Sequence, residues 1–122
     1  AVAKFLSKNE HVAWVNYPGL EDNKYHALAQ KYMPKGTCGV VSFGVKGGRK
    51  AAEQFMKKLK VAMIATHVAD AHTCVLHPAS STHRQLTEEE LVAAGVPSDL
   101  IRLSVGIEHI DDILADLEQA LG

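Results

Sequence analysis

Nine residues near the C-terminus, Leu100 to Glu108 (LIRLSVGIE), most constrain what this chain can fold into. Ile101, Leu103 and Val105 alternate with Arg102 and Ser104, the period of a strand with one apolar and one polar face. Arg102 sits at the centre of the polar face. Its guanidinium is always charged and presents a planar fork of donors, which suits a carboxylate or a phosphate. On its own the pattern leaves two readings open, a surface ion pair with a neighbouring carboxylate or a docking point for a ligand anion. Gly106 ends the strand. Ile110, Ile113, Leu114, Leu117 and Leu121 then form the core stripe of an amphipathic helix, with Asp111 and Asp112 at the positive end of its dipole.

The remaining chain alternates short helical and extended stretches. Val2, Phe5 and Leu6 mark a helix over residues 1–9. His11 to Tyr17 predicts a strand that stops at Pro18-Gly19. Asp22 or Asn23 caps a helix with Tyr25, Leu28, Ala29 and Tyr32 on its buried side, ended by Pro34 and Gly36. Thr37 to Val45 predicts a second strand, in which Gly39 suggests a bulge or a close backbone approach. After Gly47-Gly48, Ala52, Phe55, Met56 and Leu59 make the buried stripe of a further helix. Lys46, Arg49, Lys50, Lys57, Lys58 and Lys60 form its solvated face. Val61 to Ala65 is wholly apolar and predicts a central strand. A polar connection from Thr66 to Gln85 holds a short strand around Thr73 to Leu76. Thr87 and Glu90 have capping-box spacing, and Gly95 and Pro97 end the helix they start. The predicted fold class is α+β: one domain over residues 1–122, a small mostly antiparallel sheet with helices packed on one face.

A net charge of −1 gives no pull toward nucleic acid or a membrane surface, and no apolar run is long enough to span a bilayer. The two cysteines, Cys38 and Cys74, make no disulfide framework and fit a reducing, cytoplasmic setting. The opening AVAKFLSKN lacks Met and reads as helix interior, which suggests a piece of a longer protein.

The Thr66–His83 connection concentrates His67, His72, Cys74, His77 and His83. An extended His72–Cys74 segment would put both side chains on one face, as two metal ligands require. The spacing matches no standard zinc pattern, so no metal is assigned, and a zinc-binding domain stays as a competing reading.

Three stretches carry a resemblance. NYPGLEDNKYHALAQKYMPKGTCGVVSFGVKGG, THVADAHTCVLHPASSTHRQL and IRLSVGIEHIDDILADLEQAL, in that order, resemble the C-terminal end of the Cys/Met-metabolism family of pyridoxal-phosphate (PLP) enzymes. The resemblance implies the C-terminal domain of the fold-type I PLP-dependent transferases, with residues 1–9 as the end of an inter-domain helix. It implies that Arg102 binds the α-carboxylate of an amino-acid substrate. Thr66 would lie beside the cofactor-bearing lysine and that carboxylate, and Thr82, in the HPASSTH loop, near the substrate. His77 and His83 would orient this loop.

The resemblance assigns no catalytic residue here. The Schiff-base lysine and the phosphate cradle belong to a large N-terminal domain that binds pyridoxal 5'-phosphate, and no lysine in this chain has the required context. The expectation is therefore a chain inactive by itself. Thr66-His67-Val68 stands where lyases and synthases show Ser-Leu-Gly. That version looks like the O-acetylhomoserine sulfhydrylase branch, which replaces acetate with sulfide or methanethiol to give homocysteine or methionine. Cys38 in place of a common Gly, and His109 in place of an acidic residue, depart from the pattern. The implied partners are the amino-acid substrate, the enzyme's own large domain and further copies in a homo-oligomer, a homotetramer. Alternatives are the same domain of a cystathionine gamma-synthase or methionine gamma-lyase, or a stand-alone amino-acid-binding module. An isolated copy should expose an apolar patch where the large domain packs, with Phe5 and Leu6 of the first helix as candidates.

Overall fold

A computed structural model describes residues 1–122. Five strands form one sheet in the order β1-β2-β5-β4-β3. They are β1 (Val12–Asn16), β2 (Val40–Val45), β3 (Met63–Ile64), β4 (Cys74–Leu76) and β5 (Leu100–Ser104). All neighbours are antiparallel except β3 and β4, which run parallel. The expected α+β class, with a mostly antiparallel sheet, is what the chain adopts.

Helices α1 (Val2–Lys8), α3 (Gly48–Lys58) and α5 (Ile110–Leu121) cover one face. Between them and the sheet lies the core, built on Leu6, Phe43, Phe55, Ile101, Leu103 and Leu117. Phe43 and Phe55 meet edge to face, their ring centroids 5.8 Å apart. A register shift between Val12 and Trp14 places an extra residue, Ala13, in β1. That bulge lets Val12 and Val15, three residues apart, both face the helices. It also puts Trp14 and Asn16 on the opposite face, in line with Gly44 and Ser42 of β2.

Several local expectations need correction. Val61 to Ala65 is no central strand. Only Met63 and Ile64 are extended, at the sheet edge, and both are exposed. An apolar run cannot distinguish a covered strand from an edge when the pairing is decided by distant residues. Of the stripe proposed for α2 (His26–Tyr32), only Ala29 is buried, while Tyr25, Leu28 and Tyr32 face solvent. Asn23 does not cap α2 but closes a turn onto the Tyr25 amide. Leu6 is wholly buried and Phe5 packs on the core, so α1 offers no free apolar patch of the kind expected. Gly39 does lie against another backbone segment, its carbonyl accepting the Val105 N–H at 2.8 Å, but a Cβ would fit there at ordinary contact distance, and the crowded strand glycine is Gly44.

In α5 the core stripe holds Ile113 and Leu117, but Ile110 is exposed and Asp116 is buried. Asp116 accepts the backbone N–H groups of Lys60, Val61 and Ala62 at 2.8, 2.8 and 2.9 Å. Burial pushes its carboxyl pKa up, but those N–H groups and Gln119 outweigh burial and hold it below the usual value. The α4 helix (Glu88–Ala93) starts on the complete Thr87–Glu90 capping box. No helix is long and apolar enough to cross a membrane.

Candidate functional site

On the face away from α1, α3 and α5, residues from four strands and three loops line a cavity of about 550 Å³. Arg102, Thr66 and Thr82 all line it, with His83, Ser42 and Asn16. Cross-strand register explains the floor. Asn16 pairs with Ser42, Ser42 with Arg102, and Arg102 with Leu76, so these four side chains share a face across β1, β2, β5 and β4.

Arg102 is half-buried at the centre of this row. Its Nη2 donates to the Thr66 carbonyl oxygen at 2.8 Å. Its buried Nε–H has no acceptor in the chain. An unsatisfied buried donor typically costs about 1–3 kcal/mol, more for a charged group, and a ligand anion on the guanidinium would offset part of that. The surface ion-pair reading has no support, since no carboxylate pairs with Arg102. Thr66 meets Arg102 through its backbone, in the loop that follows β3. Thr82 Oγ1 lies 2.8 Å from His83 Nδ1, which leaves the His83 Nε2 position free.

The loop carrying Thr82 is anchored from beneath. Pro78–Ser80 forms a single 3₁₀ turn, and His77 just before it is buried. His77 Nε2 lies 2.7 Å from the Ser98 carbonyl, which can only accept, so Nε2 carries the proton. Nδ1 then accepts from Ser80 Oγ at 2.7 Å. Arg49 of α3 reaches the same turn, donating from Nη2 to the Ala79 carbonyl at 2.9 Å and pairing with Glu53 and Glu88. The solvated-face reading holds for the lysines of this run, which are exposed, and fails for Arg49.

Ser104, expected on the outer polar face, is buried because the next loop closes over it, with the Ala69 amide donating to its Oγ at 3.0 Å. No three His, Cys, Asp or Glu side chains converge to hold a metal. His72 is exposed and Cys74 buried. Burial, then the charges of Asp70 and Glu108, push the Cys74 thiol pKa up, which disfavours the thiolate a metal or a reaction would need. Glu108 instead braces the backbone. It accepts the Thr73 amide at 2.6 Å and the Thr73 hydroxyl at 2.8 Å.

The cavity therefore offers one guanidinium, hydroxyls, one imidazole and an amide. No lysine amine and no carboxylate line it. Such a donor set fits an amino acid's carboxylate and does not fit the Schiff-base linkage of a PLP cofactor. The residues that reading from composition missed are Asn16 and Ser42. Each is a lone polar residue inside an apolar strand, the same signal that marks Arg102.

Comparison with known proteins gives a consistent picture. The profile of the Cys/Met metabolism PLP-dependent enzymes matches residues 1–122. A homocysteine synthase of Schizosaccharomyces pombe is 53% identical over 121 residues, covering 99% of this chain and 28% of that protein. An O-acetyl-L-homoserine sulfhydrylase of Leptospira meyeri is 48% identical over 121 residues, covering 98% of this chain and 27% of that protein. A crystal structure from Campylobacter jejuni, described as an O-acetylhomoserine (thiol)-lyase and carrying an N'-pyridoxyl-lysine-5'-monophosphate, superposes with a TM-score of 0.89. It is 42% identical and covers 98% of this chain and 28% of that one. The chain thus spans little more than a quarter of the length of these relatives.

Proposed function

Because this chain belongs to the Cys/Met metabolism family of PLP-dependent enzymes, we propose that it is the C-terminal substrate-carboxylate-binding domain of an O-acetylhomoserine sulfhydrylase. The intact protein would convert O-acetylhomoserine and sulfide or methanethiol to homocysteine or methionine, with release of acetate. Pyridoxal phosphate, the cofactor of the family, supplies an electron sink when bound. In this reading it is held by a large domain outside residues 1–122, consistent with a cavity that no lysine lines.

What these residues contribute is position. Arg102 takes the substrate α-carboxylate and fixes the orientation of the adjoining Cα–H bond. The Thr66 carbonyl holds one edge of the guanidinium, so the fork keeps one attitude on β5. Thr82, carried on the loop braced by His77 and Arg49, closes the side of the cavity against water. The observation that carries the reading is the convergence of Arg102, Thr66 and Thr82 on one cavity, with an Arg102 N–H left without an acceptor.

The test is Arg102→Ala in the full-length protein. The expected result is a large rise in KM for O-acetylhomoserine with cofactor absorbance unchanged. Unaltered kinetics would remove Arg102 from this role.

A further inference from the structure

The row of side chains on the cavity floor does not end at Arg102. Ser42 is its direct cross-strand neighbour, and Asn16 lies one strand further on. Asn16 is fixed by a chain of hydrogen bonds that allows one orientation of its amide. The Tyr25 backbone N–H can only donate, so the oxygen of Asn23 faces it, at 2.9 Å. The nitrogen of Asn23 then faces Asn16 and donates to its Oδ1 at 3.0 Å. With its oxygen engaged by Asn23, Asn16 has only its NH₂ left to offer, and this group has no partner in the chain.

We propose that Asn16 is a specificity-determining residue of this cavity, its Nδ2 donating to an uncharged acceptor oxygen on the substrate side chain while Arg102 holds the α-carboxylate. The ligand class is an amino acid whose side chain carries an ester or similar carbonyl. Two strand spacings of about 5 Å each separate the backbones of Arg102 and Asn16. An O-acyl amino acid with a four-carbon skeleton places its ester carbon about 6 Å from its carboxyl carbon. The side chains, projecting from the same face, take up the difference. The Ser42 hydroxyl lies between the two ends of such a ligand. The assignment rests on the carboxylate reading of Arg102 and extends it along the sheet.

The test uses the full-length, cofactor-loaded protein and two probes. O-acetylhomoserine carries the ester oxygen. Norleucine, an inhibitor with the same carboxylate and an unbranched side chain, carries none. Asn16→Leu removes the donor at similar size. Loss of one neutral hydrogen bond predicts a fall of about three- to tenfold in kcat/KM for O-acetylhomoserine, with the norleucine inhibition constant unchanged. Asn16→Asp, which cannot donate when ionised, should do at least the same and guards against a packing defect in Asn16→Leu. Asn23→Ala, which frees the amide to turn over, should shift the same ratio by less. An unchanged ratio of the two probes in both Asn16 variants would overturn the proposal. Failure of the underlying reading looks different: Arg102→Ala would leave both probes unaffected, or the unsubstituted protein would not turn over O-acetylhomoserine at all.

Discussion

Arg102 Nη2 donates to the carbonyl oxygen of Thr66 at 2.8 Å, which ties the middle of β5 to the loop beyond the edge strand β3. The β3 edge pairs only with β4 and buries little side chain, Ile64 being 62% exposed at the margin of the sheet. In the proposed function the arginine thus has two roles, holding the ligand anion and tethering the loop beside it.

Arg102→Lys separates these two roles. A lysine keeps the charge but offers a single ammonium, which cannot serve the Thr66 carbonyl and grip both carboxylate oxygens in one plane. Losing a charge-assisted hydrogen bond of about 1.5–3 kcal/mol predicts a fall of about ten- to a hundredfold in kcat/KM for the amino-acid substrate. Steady-state kinetics on the full-length protein checks it. Near-normal activity would mean that charge alone suffices and that the fork geometry is irrelevant.

Gly44 is the strand glycine with no room for a side chain. A Cβ there would run into Trp14 Nε1 and Asp99 Oδ2, which hydrogen-bond each other at 2.9 Å directly over it. Gly44→Ala must break that bond or push β1 off β2. Overpacking of this kind costs about 1–3 kcal/mol. Trp14 is the chain's single tryptophan, so its fluorescence reports the disturbance without interference. A lower denaturation midpoint with a shifted emission maximum is expected. Unchanged emission would show that the site accommodates the methyl group.

How much of this was legible in the sequence depends on how local the cause was. The Thr87–Glu90 capping box, the Ala52, Phe55 and Met56 stripe of α3, and Ile113 and Leu117 of α5 are written within a dozen residues each, and they formed as read. The edge position of β3 was not legible, because pairing with β4 is decided by residues eleven positions away in the chain. The Asp116 carboxylate looked like one more polar residue in a helix, and its partners at residues 60–62 lie on another element. Arg102 stood out as a charge in an apolar strand. Asn16 and Ser42 carried the same mark more faintly, and only the cross-strand register joins them into one floor. Thr66 and Thr82 had no local signal at all and came from family resemblance.

Asp116 predicts an acid-dependent loss of stability. Its folded pKa lies below the ordinary value of about 3.9, so its contribution is full above that pH and disappears as pH falls through the lower folded value. Asp116→Asn turns an NH₂ toward backbone N–H groups that need an acceptor. The expected cost is about 2–4 kcal/mol at neutral pH, the range for breaking a buried network that leaves donors unpaired. As pH falls below the ordinary carboxylate value and on through the lower folded one, the gap between the two proteins should narrow, because the native carboxyl becomes protonated. Urea midpoints for both proteins at neutral and acid pH measure this. A gap independent of pH would show that shape, not charge, is what residue 116 contributes.

Arg49 predicts a loop effect that is separable from binding. It lies on α3, across the sheet from the cavity, yet it holds the Ala79 carbonyl and Glu88, at the two ends of the loop that carries Thr82 and His83. It is 38% exposed at the side chain and its ion pairs are worth little in themselves, about 0–1 kcal/mol each. The bond to Ala79 matters more, since that carbonyl belongs to a buried residue. Arg49→Ala should therefore lower global stability by only about 1 kcal/mol. Amide hydrogen exchange over residues 79–87 should speed up markedly, because local opening no longer breaks a tether to α3. Exchange in β2 and β5 should stay as it was, since the Arg49 guanidinium hydrogen-bonds neither strand. With the loop freer, KM should rise while kcat changes less, the reverse of what loss of a group at the reacting atoms would give. Equal acceleration of exchange throughout the sheet would mean that Arg49 supports the domain as a whole and not this loop.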